Sequence, residues 1–330
     1  MSIDTHAHAV IPEANALVGR SDGFKLELAG EQIAHSAESL EINQAQIASL
    51  GEKLASPARR ISEMDQMRID RTIVGPMPLH HYWADEDLAA KVAQIKNDGL
   101  AEHCAFNPAR LKPMGTIPFQ HPDLAIAELD RIVTKLGFTS ISVSTNINGK
   151  ELTDPSFDKV WKRIHELEIT TFVHPWGCSL GARLANYYLG NTVGQPTETA
   201  VALSHIIFSG MLDKYQGLKL LAAHGGGYLP TYIGRSDHAW SVRTDAHSCQ
   251  ELPSSYLKKI SFDSLVYNPI ALRNLVEMVG EDNVTIGTDY PFDMGVTNPV
   301  DRLEAANFSD SIREKIASTN AAHLFQWANS

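Results

Sequence analysis

A chain of 330 residues, 43% of them hydrophobic, has the material for a large globular core. Its formal charge of −11 and the lack of any Lys/Arg block exclude a nucleic-acid surface, so an anionic substrate would need arginines gathered locally. Cys104, Cys178 and Cys249 are too few and too scattered for a disulfide framework, and neither a signal-peptide pattern nor a membrane-spanning apolar run is present, so a cytoplasmic protein is expected.

The first predicted strand is SIDTHAHA, and it carries His6 and His8. Side chains alternate along a strand, so both imidazoles face one way, with Cα atoms roughly 6.5–7 Å apart. Such a pair can grip a metal ion if further ligands arrive from elsewhere. Seven more apolar, β-rich runs follow, at 71–78, 111–118, 138–146, 169–175, 218–226, 260–266 and 284–291. Several are nearly continuous, as parallel strands covered on both faces require. Helical spacing lies between them. DPSFDKVWKRIHELE places Phe157, Val160, Trp161, Ile164 and Leu167 on one stripe. SDSIREKIASTNAAHLF does the same with Ile312, Ile316 and Leu324, behind Ser309 or Asp310 as N-cap. Strands alternating with helices predict a single α/β domain over 1–330, folded as a (β/α)8 TIM barrel. Residues 10–60 exceed one crossover and read as a partly helical insertion after the first strand, placed over the barrel mouth.

The polar residues fall in a pattern. His6 and His8 end the first strand, His174 the fifth, His224 the sixth and Asp289 the eighth. Barrel enzymes assemble their sites at that face, from the ends of several strands. Three imidazoles and a carboxylate suit Zn²⁺ or another borderline divalent ion, with a coordination position left open.

The motifs THAH, HPWG, AHGGG and GTDYPF, with the long stretch PSSYLKKISFDSLVYNPIALRNLVEMVGEDNVTIGTDYPF, resemble the aminocarboxymuconate-semialdehyde decarboxylases. These belong to the metal-dependent amidohydrolase superfamily, in the branch of the resorcylate and carboxyvanillate decarboxylases. The resemblance covers residues 1–9 and nearly everything from Ile61 onward. It implies a distorted barrel with one Zn²⁺, or alternatively Mn²⁺, held by His6, His8, His174 and Asp289. It implies that His224 is a catalytic acid/base, with Asp289 sharing proton transfer. The reaction implied is non-oxidative decarboxylation of a small unsaturated or aromatic carboxylic acid, without an organic cofactor. It also implies a homodimer in which Arg235 reaches the neighbouring site and binds substrate carboxylate, a pairing suited to a bidentate guanidinium. Arg243 and Trp176 are further candidate substrate contacts. Two-metal relatives bridge their ions through a lysine ending the fourth strand; FTSISVSTN has none, and Lys150 comes only after the turn at Gly149, so one metal is expected. The alternative chemistry at the same site is hydrolysis of an amide or lactone, or hydration of a double bond.

Other signals compete. GCSLG at 177–181 satisfies the nucleophile-elbow pattern around Ser179, but Pro175 and Trp176 interrupt the strand, and HGGG follows rather than precedes it. Cys178 has no feature that would activate its thiol. His80 and His81, consecutive, point oppositely on an extended chain and so cannot both face a metal. Asp263 is left without a role. The insertion departs from the family: no arginine lies between Lys25 and Lys53, and a family tryptophan is replaced near Asn191. Arg59 or Arg60 could substitute, and the substrate is expected to differ.

Overall fold

The structure, a computed structural model, describes residues 1–327. Eight short parallel strands form its centre: β1 (Ile3–Ala9), β2 (Arg71–Pro76), β3 (Leu111–Pro113), β4 (Ser140–Val143), β5 (Thr170–Val173), β6 (Leu220–Ala222), β7 (Ser261–Asp263) and β8 (Val284–Thr285). β1, β2 and β3 pair in one sheet, and β4 to β8 pair in order in a second. Parallel bridges join the two at both margins: Gly115 with Ile141, and Asp4 with Ile286 and Ala7 with Tyr290. The strands therefore follow one another around a ring, as the sequence predicts. Every residue of β1 is buried, so its polar Asp4, Thr5, His6 and His8 must each meet partners inside the protein. Its pairing with β2 slips by one residue between Asp4 and Ala7. That bulge spans Thr5 and His6, which together oppose one residue of β2.

Helices cover the outside. Glu86–Ala105 starts behind Asp85, whose carboxylate accepts from Leu88 N at 2.9 Å. Asp158–Glu166 buries Val160, Trp161 and Ile164, the stripe expected from their spacing. Ser309 caps Asp310–Glu314, accepting from Ile312 N. At the N-terminal end of the barrel, Leu324 and Phe325 plug the interior beside Ile73, Met114, Phe172 and Leu221. Thr170 Oγ1 donates to Leu324 O at 2.6 Å, and Lys112 Nζ to Phe325 O at 2.7 Å. One end is thus closed, and the strands' C-terminal ends form the open mouth.

Between β1 and β2 run five helices: Pro12–Val18, Asp22–Gln32, Ala37–Ser49, Gly51–Ala55 and Pro57–Gln66. The last extends beyond the expected boundary near 60, because Ser56 caps it and Arg60, Glu63 and Met64 pack inward. Ala37–Ser49 buries none of its residues. Helix Asp22–Gln32 meets the barrel at Gly23, where a Cβ would fall 2.1 Å from the Trp83 ring, so only glycine permits the approach. Among the described residues no helix is long and apolar enough to cross a membrane.

Candidate metal centre

His6, His8, His174, His224 and Asp289 converge at the open mouth. The His6 ring lies 5.2 Å from His8, 4.9 Å from His174 and 5.2 Å from His224, centroid to centroid. Asp289 Oδ1 is 3.3 Å from His6 Nε2 and 3.2 Å from His8 Nε2, and Oδ2 is 3.6 Å from His224 Nε2. One ligand atom from each of His6, His174, His224 and Asp289 falls within 4.8 Å of all the others. His8 joins this group through Asp289 and through His174, whose ring is 5.0 Å away.

The imidazoles are aimed by what their other nitrogen holds. His6 Nδ1 meets Asp263 Oδ2 at 2.7 Å, His8 Nδ1 meets Pro76 O at 3.0 Å and His174 Nδ1 meets Pro175 O at 2.8 Å. Each of these acceptors requires a proton on Nδ1, which leaves Nε2 as a bare lone pair. All three Nε2 atoms are buried without a hydrogen-bond partner. Three orphaned lone pairs beside one carboxylate would be costly in a finished interior, and they fit a divalent ion.

The backbone locks these positions. Asp289 N donates to His6 O at 2.8 Å and His8 N to Tyr290 O at 2.8 Å, tying β1 to the segment after β8. His224 and Asp289 both take left-handed conformations, with φ of 53° and 57°. Non-glycine residues held there mark sites whose surroundings override local preference. Behind His224, Gly225, Gly226 and Gly227 continue at positive φ, and a Cβ on Gly227 would lie 2.1 Å from Pro196 O. The HGGG sequence is thus a turn no other residues could make.

Charge follows from this packing. Burial opposes ionisation of Asp289, but the charge of His6 and the close approach of the His224, His6 and His8 imidazoles hold it well below the carboxylate range. Burial likewise opposes protonation of His6, yet Asp289 and Asp263 raise it to about 10. His174 is pushed far down by burial and by its cationic neighbours, and His8 is lowered chiefly by burial. Neutral, buried imidazoles at His8 and His174 beside an ionised carboxylate are what a ligand set requires.

Asp263, left without a role by the sequence, is the hub beneath this centre. Besides His6 it accepts from His224 N and Gly225 N, each at 2.9 Å, and from Leu265 N at 3.1 Å. It thus orients one imidazole and the turn that carries another. Its signal was a lone acid in an apolar strand. Asp4 is a second buried acid, accepting from His6 N at 3.0 Å and from Thr288 Oγ1 at 2.7 Å. Burial lifts it to about 6, against the hydrogen bonds it receives.

The remaining candidates fall elsewhere. Arg60 is a correction: it is 1% exposed, donates to His8 O and His103 Nε2, and lies 4.9 Å from the Tyr290 ring, so it supports the centre from behind instead of reaching substrate. Arg59 is engaged by Glu63 at 2.6 Å. Arg235 is exposed and has no ion pair among the described residues, whereas Arg243 is exposed and bound to Asp245 at 2.7 Å. Trp176 is half-buried on a neighbouring cavity. Ser179 gives its hydroxyl and its N–H to Glu198, at 2.5 and 2.6 Å, so it is no free nucleophile. His81 is buried against Glu27 at 3.0 Å, and His80 lies on the cavity wall. Lys150 is exposed on the short hairpin that follows β4.

Histidines and an aspartate at the mouth of a parallel barrel define a class: enzymes that work through a bound divalent ion. Within that class the chain belongs to the amidohydrolase family, whose sequence pattern matches residues 3–327. It is 36% identical over 269 residues to the 2-amino-3-carboxymuconate-6-semialdehyde decarboxylase of Dictyostelium discoideum, covering 80% of this chain and 75% of that one. It is 30% identical over 285 residues to the gamma-resorcylate decarboxylase of Rhodococcus jostii, covering 81% and 86%. A dihydroxybenzoic acid decarboxylase from Polaromonas, solved with manganese and 2-nitroresorcinol, superposes with a TM-score of 0.83 at 26% identity, over 100% of this chain and 98% of that one. The 5-carboxyvanillate decarboxylase of Sphingomonas paucimobilis shares the fold, with a TM-score of 0.85 at 24% identity and 98% coverage of both chains.

Proposed function

We propose that this chain is a metal-dependent, non-oxidative decarboxylase of a small unsaturated or aromatic carboxylic acid. The observation that carries the reading is the division of labour in the centre. His6, His8 and His174 turn buried, unpartnered nitrogens inward, while His224 and Asp289 alone of the five line an adjoining cavity of about 190 Å³. His6, His8, His174 and Asp289 would hold the ion, for which nitrogen and carboxylate donors suit Zn²⁺, with Mn²⁺ the alternative. When bound, that ion supplies Lewis-acid charge that favours electron density moving onto a substrate oxygen.

The chain's own residues handle the proton. His224 Nε2 and Asp289 Oδ2, 3.6 Å apart, form a pair able to pass a proton to the carbon that bears the carboxylate. A C–H bond forms there, and the C–C bond to the carboxylate then breaks. Its electron pair returns to the unsaturated system and CO₂ leaves, so each turnover consumes one proton. Arg235, exposed like the preceding Tyr228 and Tyr232 and in no ion pair among the described residues, would bind the carboxylate from the partner of a homodimer. Cys104, Cys178 and Cys249 form no disulfide among the described residues, which suits a reducing cytoplasm.

Replacing His224 by alanine is expected to abolish CO₂ release from a panel of aromatic and muconate-type acids, with metal content staying near one per chain. A variant that keeps most of its turnover would remove the assignment. Release of amine or alcohol without CO₂ would favour the hydrolytic alternative instead.

A further inference from the structure

Beside the centre lies a second cavity with a charge pattern of its own. It measures about 390 Å³, between helix Asp22–Gln32 and the loops that follow β2, β4 and β5. Trp83, Trp176 and Tyr82 are its aromatic walls, and His80, Asn148 and Glu27 are among its polar ones. Trp176 lies two residues beyond His174, and Pro78 on the cavity wall lies two residues beyond Pro76, whose carbonyl holds His8 Nδ1. Two polar atoms of these walls, Trp176 Nε1 and His80 Nε2, are buried without a hydrogen-bond partner. Polar atoms left so on a cavity wall await a ligand or water.

Among the described residues no lysine or arginine lines this cavity, and the acid on its wall is Glu27. That carboxylate is fixed in place, because Oε2 accepts from Trp83 Nε1 at 2.8 Å and from His81 Nδ1 at 3.0 Å. Among the described residues the smaller cavity over His224 has no lysine or arginine either, and its acid is Asp289. Room for positive compensation is therefore small.

We propose that this cavity is the specificity subsite of the decarboxylase and selects a planar aromatic acid with one carboxylate and a hydroxyl or amino group. The inference rests on the decarboxylase reading for the place of the reacting carboxylate. The ring lies among Trp83, Trp176 and Tyr82. The Trp176 N–H donates to a ring oxygen, and Glu27 accepts from a hydroxyl or amine. A second carboxylate would lose its water beside Glu27, with no lysine or arginine on the described wall to pair with it. Where the resemblance leads one to expect an arginine from the insertion, this insertion brings an acid.

The test uses the zinc-loaded protein and two compounds differing by one carboxylate, salicylate and 4-hydroxyisophthalate. Binding is read from quenching of tryptophan fluorescence. Salicylate should bind tighter by about tenfold or more, the size of one like-charge contact in a partly screened site. Glu27→Gln should bring the two affinities within about threefold, and Glu27→Asp should restore the gap. Equal or tighter binding of the dicarboxylate, a gap unmoved by Glu27→Gln, or binding of neither compound overturns the proposal. Should every acid tested fail to yield CO₂ while the binding gap stands, the decarboxylase reading fails and the subsite remains.

Discussion

Replacing Asp263 by asparagine isolates what a residue beneath the centre does for the ligands above it. The carboxylate receives four donors, two on each oxygen: His6 Nδ1 and His224 N on Oδ2, Gly225 N and Leu265 N on Oδ1. An asparagine NH₂ in the Oδ1 place strands two buried N–H groups, at about 1–3 kcal/mol each. In the Oδ2 place it strands only His224 N, provided His6 moves its proton from Nδ1 to Nε2. The second arrangement costs less, and it places a proton on the nitrogen that should bind metal. The variant should therefore fold, with stability reduced by roughly 1–3 kcal/mol. Its metal affinity should fall by about 10–100-fold, which is roughly 1.4–2.7 kcal/mol. Competition with a chelator measures the affinity, and circular dichroism confirms the fold. A folded Asp263→Asn protein that binds metal within about threefold of the parent would refute the orienting role.

Acid should loosen the support behind His8. His103 accepts from Arg60 at 3.2 Å, and burial with the Arg60 charge pushes it down to about 4. A base depressed in this way adds stability above its unfolded value near 6.5, and that stability is lost as pH falls through 4. The loss amounts to roughly 3 kcal/mol, and His103→Gln should flatten the slope in urea melts between pH 7 and 4.5; parallel slopes would contradict this. Gly227→Ala, forced to φ 65° and against Pro196 O, should cost roughly 2–6 kcal/mol and the activity with it. An active protein with an unchanged melting temperature would show that the turn can relax. Arg235→Ala should raise KM for the acid and leave metal content alone, and unchanged KM would dismiss the shared-site role.

Much of the frame was readable because parallel strands bury both faces and write themselves as apolar runs. β5 lies inside the predicted 169–175, and β8 inside 284–291. The centre was readable because chemistry-bearing residues in such runs stand out at strand ends. The insertion was harder to read. Ala37–Ser49 packs no residue into the core, so no apolar stripe announces it. Asp263 and Arg60 were opaque for another reason. An acid in a strand or an arginine on a helix becomes meaningful only through partners such as His6 or the His8 carbonyl, far away in sequence. The bulge at His6 was equally hidden, since register is a property of the pair β1–β2 and not of either strand.

Two proposed ligands sit on the first strand and a third follows the last, and the bridges Asp4–Ile286 and Ala7–Tyr290 are what bring them together. A nascent polypeptide can therefore offer no complete cage until almost all of it has left the ribosome. Ion capture would then report ring closure, the slowest kind of contact to form because the whole chain must loop back on itself. Once captured, the cation would act as a clasp, holding the two margins of the sheet together more firmly than two isolated bridges could.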